Sequence, residues 1–306
     1  MSTTALFVGD VSWDTTVQAE RLPSQDEKVV ARRCIEDVGG VAANAAVACS
    51  LAGGTAILYS SIGDDAPGAS VRLALSGRGI DSRLCATEGR TTRAIIILDD
   101  LGEKRLFLAP GAAMYPDEAT LTSLSLDGVG WVHTALYDHR LAEVLIDRCR
   151  SAGVRWSIDL EPATIPPEID SIASHLSGCQ TVMLNLRASA MLGPNAARVL
   201  LDMGAAEVVE TLGAEGVRHH RAGAEPIQVA PARQTEAVVD TTGAGDAFAG
   251  WYVAERVSGT PLELTLGRAV HAASQSVRFL GASASYQNRS TILELFSVPP
   301  SEERPQ

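Results

Sequence analysis

Short apolar runs alternate along the chain with longer stretches of helical period. Runs at 5–9, 55–60, 94–98, 130–134, 154–159, 181–184 and 207–212 predict strands. Several are apolar at consecutive positions, the pattern of strands in a parallel sheet covered on both faces. Helical spacing predicts helices over 42–52, 68–77, 140–151, 196–203, 245–257 and 262–280. In the last of these, Leu262, Leu266, Ala269, Val270, Ala273, Val277 and Leu280 share one stripe, and Gly281 supplies a stop. Strands alternating with helices imply a layered α/β fold.

Two stretches break the alternation. Residues 13–37 and 91–109 are β-rich and lack helical period, and the second contains AIIILDDLGEKRLFL, two strands about a turn. A small extra sheet covering one edge of the main sheet accounts for both. The chain has no low-complexity linker and no internal repeat, so residues 1–306 are expected to form a single domain with a lid built from two insertions. The uncharged stretch 38–63 is long enough to suggest a membrane span. Asn44, Ser50, Ser60, Ser61, the Gly53-Gly54 break and the many alanines favour a small-residue helix in a close-packed core, then a turn and a strand.

Composition narrows the function classes. With 306 residues, 46% of them hydrophobic, the chain is long enough for a sizeable core. A formal charge of −12 opposes nonspecific binding to nucleic acid or an anionic membrane, while leaving room for a small anion held locally. The five cysteines, Cys34, Cys49, Cys85, Cys149 and Cys179, are dispersed and form no CxxC, which reads as reduced thiols in a cytoplasmic protein. MSTTALFVGD has neither a basic n-region nor a long apolar h-region, so no signal peptide is expected.

Three segments carry candidate chemistry. In VVDTTGAGDAFAG (238–250), a short strand leads to Asp240 and Thr242, and Gly243-Ala244-Gly245 opens a helix with Asp246 in its first turn. The unpaired N–H groups of such a turn form an anion site. A carboxylate beside an anion needs a task, and accepting a proton from an attacking hydroxyl is one. By itself the segment also fits a plain glycine-rich turn with an ordinary N-terminal helix carboxylate. No Gly-Lys pair occurs, which removes a P-loop, and Phe248 stands where a dinucleotide fingerprint needs Gly or Ala. In VGGVAANAAVACSLAGG (38–54), Gly39-Gly40 precedes a helix whose one amide, Asn44, needs partners from a polyhydroxyl ligand or a neighbouring loop. In VGDVSWD (8–14), acids follow a strand, as a sugar-binding edge or a simple turn requires.

Together, in this order and spacing, these segments resemble the ribokinase-like (phosphofructokinase B) family of carbohydrate kinases. IGDDAPG (62–68), GEKRLFLAPGA, TLGAEGV (211–217) and GASAS (281–285) fit the same pattern, so the resemblance covers nearly the whole chain. It implies a three-layer α/β/α core with a mostly parallel central sheet and a small β-sheet lid that often serves as a dimer clasp. It implies transfer of the γ-phosphoryl group of Mg-ATP to a sugar-type hydroxyl. Asp246 matches the family's general base, and Gly243, Ala244 and Gly245 its anion hole. Asp14, Gly40 and Asn44 match sugar-binding positions; Asn185, Thr211, Gly213 and Gly216 match the nucleotide side. Asp240, Thr242, Ser276, Phe279, Gly281 and Ser285 match positions that hold a monovalent cation in K+-activated members.

One departure stands out. The family often has Asn-x-x-Glu where this chain reads Asn185-Leu186-Arg187-Ala188. Either Mg2+ is held by its waters and the phosphates, or activity is reduced, and a catalytically weak sugar- or nucleotide-binding protein is the reading of another class. The acceptor stays open among a neutral monosaccharide, which is favoured, a nucleoside, and a phosphorylated or sulfonated sugar. KVVAR (28–32) is similar to sulfofructose-type kinases, with Lys28 and Arg105 as candidate cations. His219-His220 are expected on an exposed strand, His271 as an ordinary helix histidine, and Glu161-Pro162 as loop.

Overall fold

A computed structural model of the chain describes residues 3–99, 104–111, 113–231 and 237–297. Its strands are β1 (Thr4–Val8), β2 (Ser12–Gln18), β3 (Arg33–Gly39), β4 (Thr55–Gly63), β5 (Asp81–Thr87), β6 (Arg93–Leu98), β7 (Lys104–Ala109), β8 (Val129–Ala135), β9 (Arg155–Asp159), β10 (Thr181–Asn185), β11 (Glu207–Thr211), β12 (Val217–Arg221) and β13 (Ile227–Val229). Its helices are α1 (Val41–Leu51), α2 (Ala66–Gly77), α3 (Glu118–Ser123), α4 (His139–Ala152), α5 (Ala173–Leu176), α6 (Leu186–Leu192), α7 (Ala196–Asp202), α8 (Ala244–Val257), α9 (Leu262–Ser276) and α10 (Arg289–Ser297).

The main sheet runs β13-β12-β11-β10-β9-β8-β1-β4-β5. The pairs from β11 through β5 are parallel, and β12 and β13 add antiparallel strands at one edge. Alternation along β1 shows why the apolar runs are continuous. Ala5 and Phe7 face a core built with α1, α8 and α9, while Leu6 and Val8 face a second core built with α4 and α7. Each large buried side chain, such as Phe7 or Trp131, contributes about 1.5–3 kcal/mol by leaving water. The result is the expected three-layer α/β/α arrangement.

On one face, α1 and α8 approach backbone to backbone. Ala45, Ala46 and Ala48 are buried, and a Cβ on Gly250 would lie 2.3 Å from the Ala45 carbonyl oxygen. The alanines that resembled a membrane span are this contact. Among the described residues no helix is long and apolar enough to cross a membrane.

The second sheet runs β3-β2-β6-β7, with β2/β3 and β6/β7 antiparallel and β2/β6 parallel. It draws on both β-rich stretches, although 20–32 contains no strand and 100–103 lie outside the described residues. Strand β7 is its outer edge, and all six of its residues are exposed.

Two expectations are corrected. The late helix ends at Ser276 and not at Leu280. The Val277 carbonyl accepts the N–H groups of Val239 (2.8 Å) and Asp240 (3.2 Å), so the chain turns away and carries 279–285 towards Asp240. His219 is buried, not on an exposed strand. It lies 3.6 Å from Glu207, a buried carboxylate that also accepts from Tyr252 Oη (2.9 Å) and Arg256 (3.2 Å). Its neighbour His220 is 2.6 Å from Glu210. All five cysteines are free thiols.

Candidate active site

Asp246 sits in the first turn of α8, directly after the turn made by Gly243. Gly243 has φ +75°, a left-handed conformation that favours glycine, and a Cβ there would meet Tyr286 Oη at 2.6 Å. Tyr286 Oη donates to the Gly243 carbonyl at 2.6 Å. Ala244 N donates to the Thr241 carbonyl at 3.4 Å, and the N–H groups of a first helical turn lack intrahelical acceptors, which with the helix dipole favours an anion there.

Asn44, on α1, donates from Nδ2 to Asp246 Oδ2 at 2.8 Å. Its Oδ1 is buried and has no partner among the described residues, leaving an acceptor for a ligand hydroxyl. Burial, with Glu161 as the strongest like charge, pushes the Asp246 carboxyl well above the usual carboxylate range. A carboxyl destabilised as an anion is a better proton acceptor once ionised.

Asp246 and Asn44 border a cavity of about 640 Å3 beneath the lid. Gly40, Ser12 and Asp14 form one wall, and Lys104, Leu106 and Leu108 reach it from β7. Ser12 Oγ donates to Asp14 at 2.5 Å, and burial pushes Asp14 up to about 6. A Cβ on Gly39 would lie 2.0 Å from the Asp14 carboxylate, and one on Gly40 would lie 2.8 Å from the Asp10 carbonyl oxygen. The glycine pair thus lets strand β3 and α1 close around both acids. Asp10 caps α1, accepting from Val41 N (3.0 Å) and Ala42 N (3.2 Å), and burial raises it to about 7.

A second cavity of about 790 Å3 lies on the other side of the glycine turn. Asn185, Thr211, Gly213 and Gly216 line it with Val238, Phe248, Val270 and Val277, an apolar slot suited to a flat base. Gly216 has φ +85° and packs against the backbone of Val229. The two cavities share Thr241, Gly245 and Arg187, so a group passing between them crosses the turn in front of Asp246.

Asn185 caps α6, its Oδ1 accepting from Ala188 N at 2.9 Å. That oxygen is therefore committed to the helix, and buried Ala188 offers no carboxylate. Among the described residues no group of three His, Cys, Asp or Glu side chains is placed to hold a metal. The residues fit Mg2+ only as an ion carried by phosphates and water.

Asp240 is buried and accepts from Thr242 N (2.8 Å), Thr242 Oγ1 (2.6 Å) and Gly281 N (2.9 Å). Phe279 N donates to the Ser276 carbonyl at 3.3 Å, and Ser285 closes the same loop through the Ala282 carbonyl. The six positions matched to a monovalent cation thus lie on two touching segments, joined by the bond from Gly281 N to Asp240.

Several lining residues escaped the sequence reading. Glu161, read as loop, projects into the first cavity with Tyr137, whose hydroxyl donates to it. Both follow the carboxyl ends of adjacent parallel strands, where ligands bind in open α/β sheets, and that position is the signal that could have found them. The candidate cations Lys28 and Arg105 do not line the cavity; Lys104 and Arg187 do.

Residues 2–289 match the family model of the pfkB family carbohydrate kinases. The chain is 28% identical to the ribokinase of Arabidopsis thaliana over 96% of its own length and 81% of that protein. It is 29% identical to the ATP-dependent ribose-1-phosphate kinase of Halopiger xanaduensis, over 85% and 87% of the two chains. The Arabidopsis ribokinase structure complexed with ribose and ATP superposes with a TM-score of 0.82 at 24% identity, covering 98% of this chain and 100% of that one.

Proposed function

The chain belongs to the pfkB family of carbohydrate kinases and is an ATP-dependent enzyme of that class; from that premise we propose that it phosphorylates a neutral monosaccharide. One observation carries this reading: Asp246, hydrogen-bonded to Asn44, stands at a helix N-terminus where a polar cavity meets an apolar one.

In the proposed reaction the sugar occupies the cavity under the lid, held through Asp14, the Gly40 backbone and Asn44. The nucleotide lies along Asn185, Thr211, Gly213 and Gly216. Asp246 takes the proton of the attacking hydroxyl as its oxygen bonds to the γ-phosphorus. The bond to the ADP oxygen breaks, and the proton leaves on Asp246. The Gly243–Ala244–Gly245 turn faces the charge on the transferring group. Mg2+ brought with the nucleotide would supply neutralisation of the phosphate charge. Asp240, Thr242, Ser276, Phe279, Gly281 and Ser285 are the residues for a K+ ion that would steady this turn. The lid excludes water that would otherwise accept the phosphoryl group.

We assign core and lid to one catalytic unit in the cytoplasm. The exposed β7 edge, with Phe107 at 63% exposure beside Ile95, supports a homodimer joined through the lid; sedimentation of the wild type and of Phe107→Glu tests it.

The kinase reading is tested by following ADP release from Mg-ATP with D-ribose, D-fructose, cytidine and D-ribose 1-phosphate, with and without K+. Turnover dependent on a neutral sugar supports it. Absence of turnover, with sugar-induced thermal stabilisation retained, would establish the binding-protein reading that Ala188 motivates.

A further inference from the structure

We infer that Glu161, held by Tyr137, binds the acceptor directly and selects one that carries no phosphate or sulfonate. The inference rests on the kinase reading for its substrate but on different residues. Glu161 follows β9 and Tyr137 follows β8, so the pair spans the carboxyl ends of two adjacent parallel strands inside the acceptor cavity. Glu161 is held at its side chain and at its backbone. Tyr137 Oη donates to Oε2. At the backbone, Glu161 N donates to Thr164 Oγ1 (3.1 Å), and that hydroxyl donates back to the Glu161 carbonyl (3.1 Å). Thr164 is itself buried, so the turn is anchored.

Lys104 and Arg187 line the same cavity, yet among the described residues neither forms an ion pair with Glu161, and its one side-chain bond is that from Tyr137 to Oε2. The neighbouring carboxyls Asp159 and Asp246 feel its charge, which together with burial raises both. A carboxylate positioned in a cavity with a free oxygen calls for donors from the guest. Hydroxyl groups of a polyol supply them. The cavity lining holds Asp10, Asp14, Asp159, Glu161 and Asp246 against the two cations Lys104 and Arg187, so a phosphate or sulfonate beside Glu161 would meet more acidic groups than cations, a mismatch that grows as the lid excludes water. Tyr137 adds to this by occupying Oε2 and leaving Oε1 for a guest, so the pair reads a hydroxyl and does not chelate.

The test uses wild type, Glu161→Gln and Tyr137→Phe, with D-ribose against D-ribose 1-phosphate and D-fructose against D-fructose 1-phosphate. The wild type is expected to favour the neutral member of the pair it uses better. Glu161→Gln should raise the KM for that neutral sugar about tenfold or more, leave the KM for ATP within about twofold, and narrow the discrimination against its phosphorylated partner about tenfold. Tyr137→Phe should shift the sugar KM in the same direction by less. A wild type that favours the phosphorylated member, or a Glu161→Gln enzyme with unchanged sugar KM and discrimination, would overturn the assignment. If the wild type releases no ADP, the kinase reading fails separately. Calorimetric titration of the same sugars then decides the role of Glu161: weaker neutral-sugar binding in Glu161→Gln supports it, while equal binding, or none to the wild type, overturns it.

Discussion

Asn44 Nδ2 and Asp246 Oδ2 are 2.8 Å apart, although the two residues lie 202 positions apart in the chain. The contact joins the first glycine-rich segment to the second and fixes which oxygen of Asp246 is free. Asp246→Asn should lower kcat by about 10²–10⁴, the range for losing a general base. Asn44→Ala should lower kcat less and raise the acceptor KM, because the base survives while its orientation and one ligand contact are lost. Steady-state kinetics in both substrates separates the two effects, and near-normal turnover of Asp246→Asn would remove it from the mechanism.

The pH dependence follows from the raised carboxyl of Asp246. The base works only when ionised, so kcat/KM should be full above its raised pKa and fall as pH drops through it. Burial and Glu161 raise that pKa, while the Asn44 bond and Lys104 lower it. Glu161→Gln should therefore move the acidic limb to lower pH, and Asn44→Ala should move it higher. Initial rates from pH 5 to pH 9 in constant ionic strength provide the check.

Asp14 gives a stability prediction of definite sign. Its carboxyl is raised by burial from 3.8 to about 6, so the folded state holds this proton more tightly than the unfolded chain. Across that window the folded state binds more protons, and stability from this group falls as pH rises. Asp14→Asn removes the effect. Its stability relative to wild type should improve between about pH 4 and pH 6, by on the order of 2 kcal/mol. Urea denaturation of the ligand-free proteins at both ends of the window measures it; a constant difference would refute the assignment.

Much of this was legible in the chain. The glycine turn, Asp246, Asn44 and the parallel strands follow from local chemistry, since each needs its residue type at that position. What escaped depended on distant partners. The stripe of the late helix continues through Leu280, yet the helix stops where Val277 receives hydrogen bonds from Val239 and Asp240, 37 or more residues away. His219 looked exposed because its partner Glu207 belongs to a neighbouring strand. Glu161 does lie in a loop, and only the placement of Tyr137 shows what it faces.

Tyr286 should act on the anion site from behind. Its hydroxyl bonds the Gly243 carbonyl, which also accepts the α8 hydrogen bond from Ala247 N at 2.8 Å. Tyr286→Phe keeps the packing and removes one bond, so stability should drop by only about 1 kcal/mol. A loosened turn predicts a fall of about tenfold in kcat with little change in either KM. Equal losses in kcat and thermal stability with raised KM would mark a purely structural role.

The Glu207 cluster should matter for folding and not for turnover. Glu207 is 1% exposed and held well below the ordinary glutamate range, at about 2, despite its burial, by His219, Arg256 and Tyr252. Removing the carboxylate in Glu207→Ala leaves half-buried Arg256 uncompensated and should cost on the order of 3 kcal/mol. Chemical denaturation should show the loss, while kcat and both KM values of the folded fraction stay near wild type.

The contact of α1 with α8 through Gly250 and the alanines has a consequence for timing. Because those backbones touch, Asn44 and Asp246 belong to one rigid block that exists before any substrate arrives. If Asp246 is the base proposed above, a bound nucleotide would then sit beside it with water as the only acceptor present. On that reading, guarding ATP from wasteful hydrolysis would fall to the lid, and fidelity and catalysis would reside in separate parts of the chain, free to drift apart under mutation.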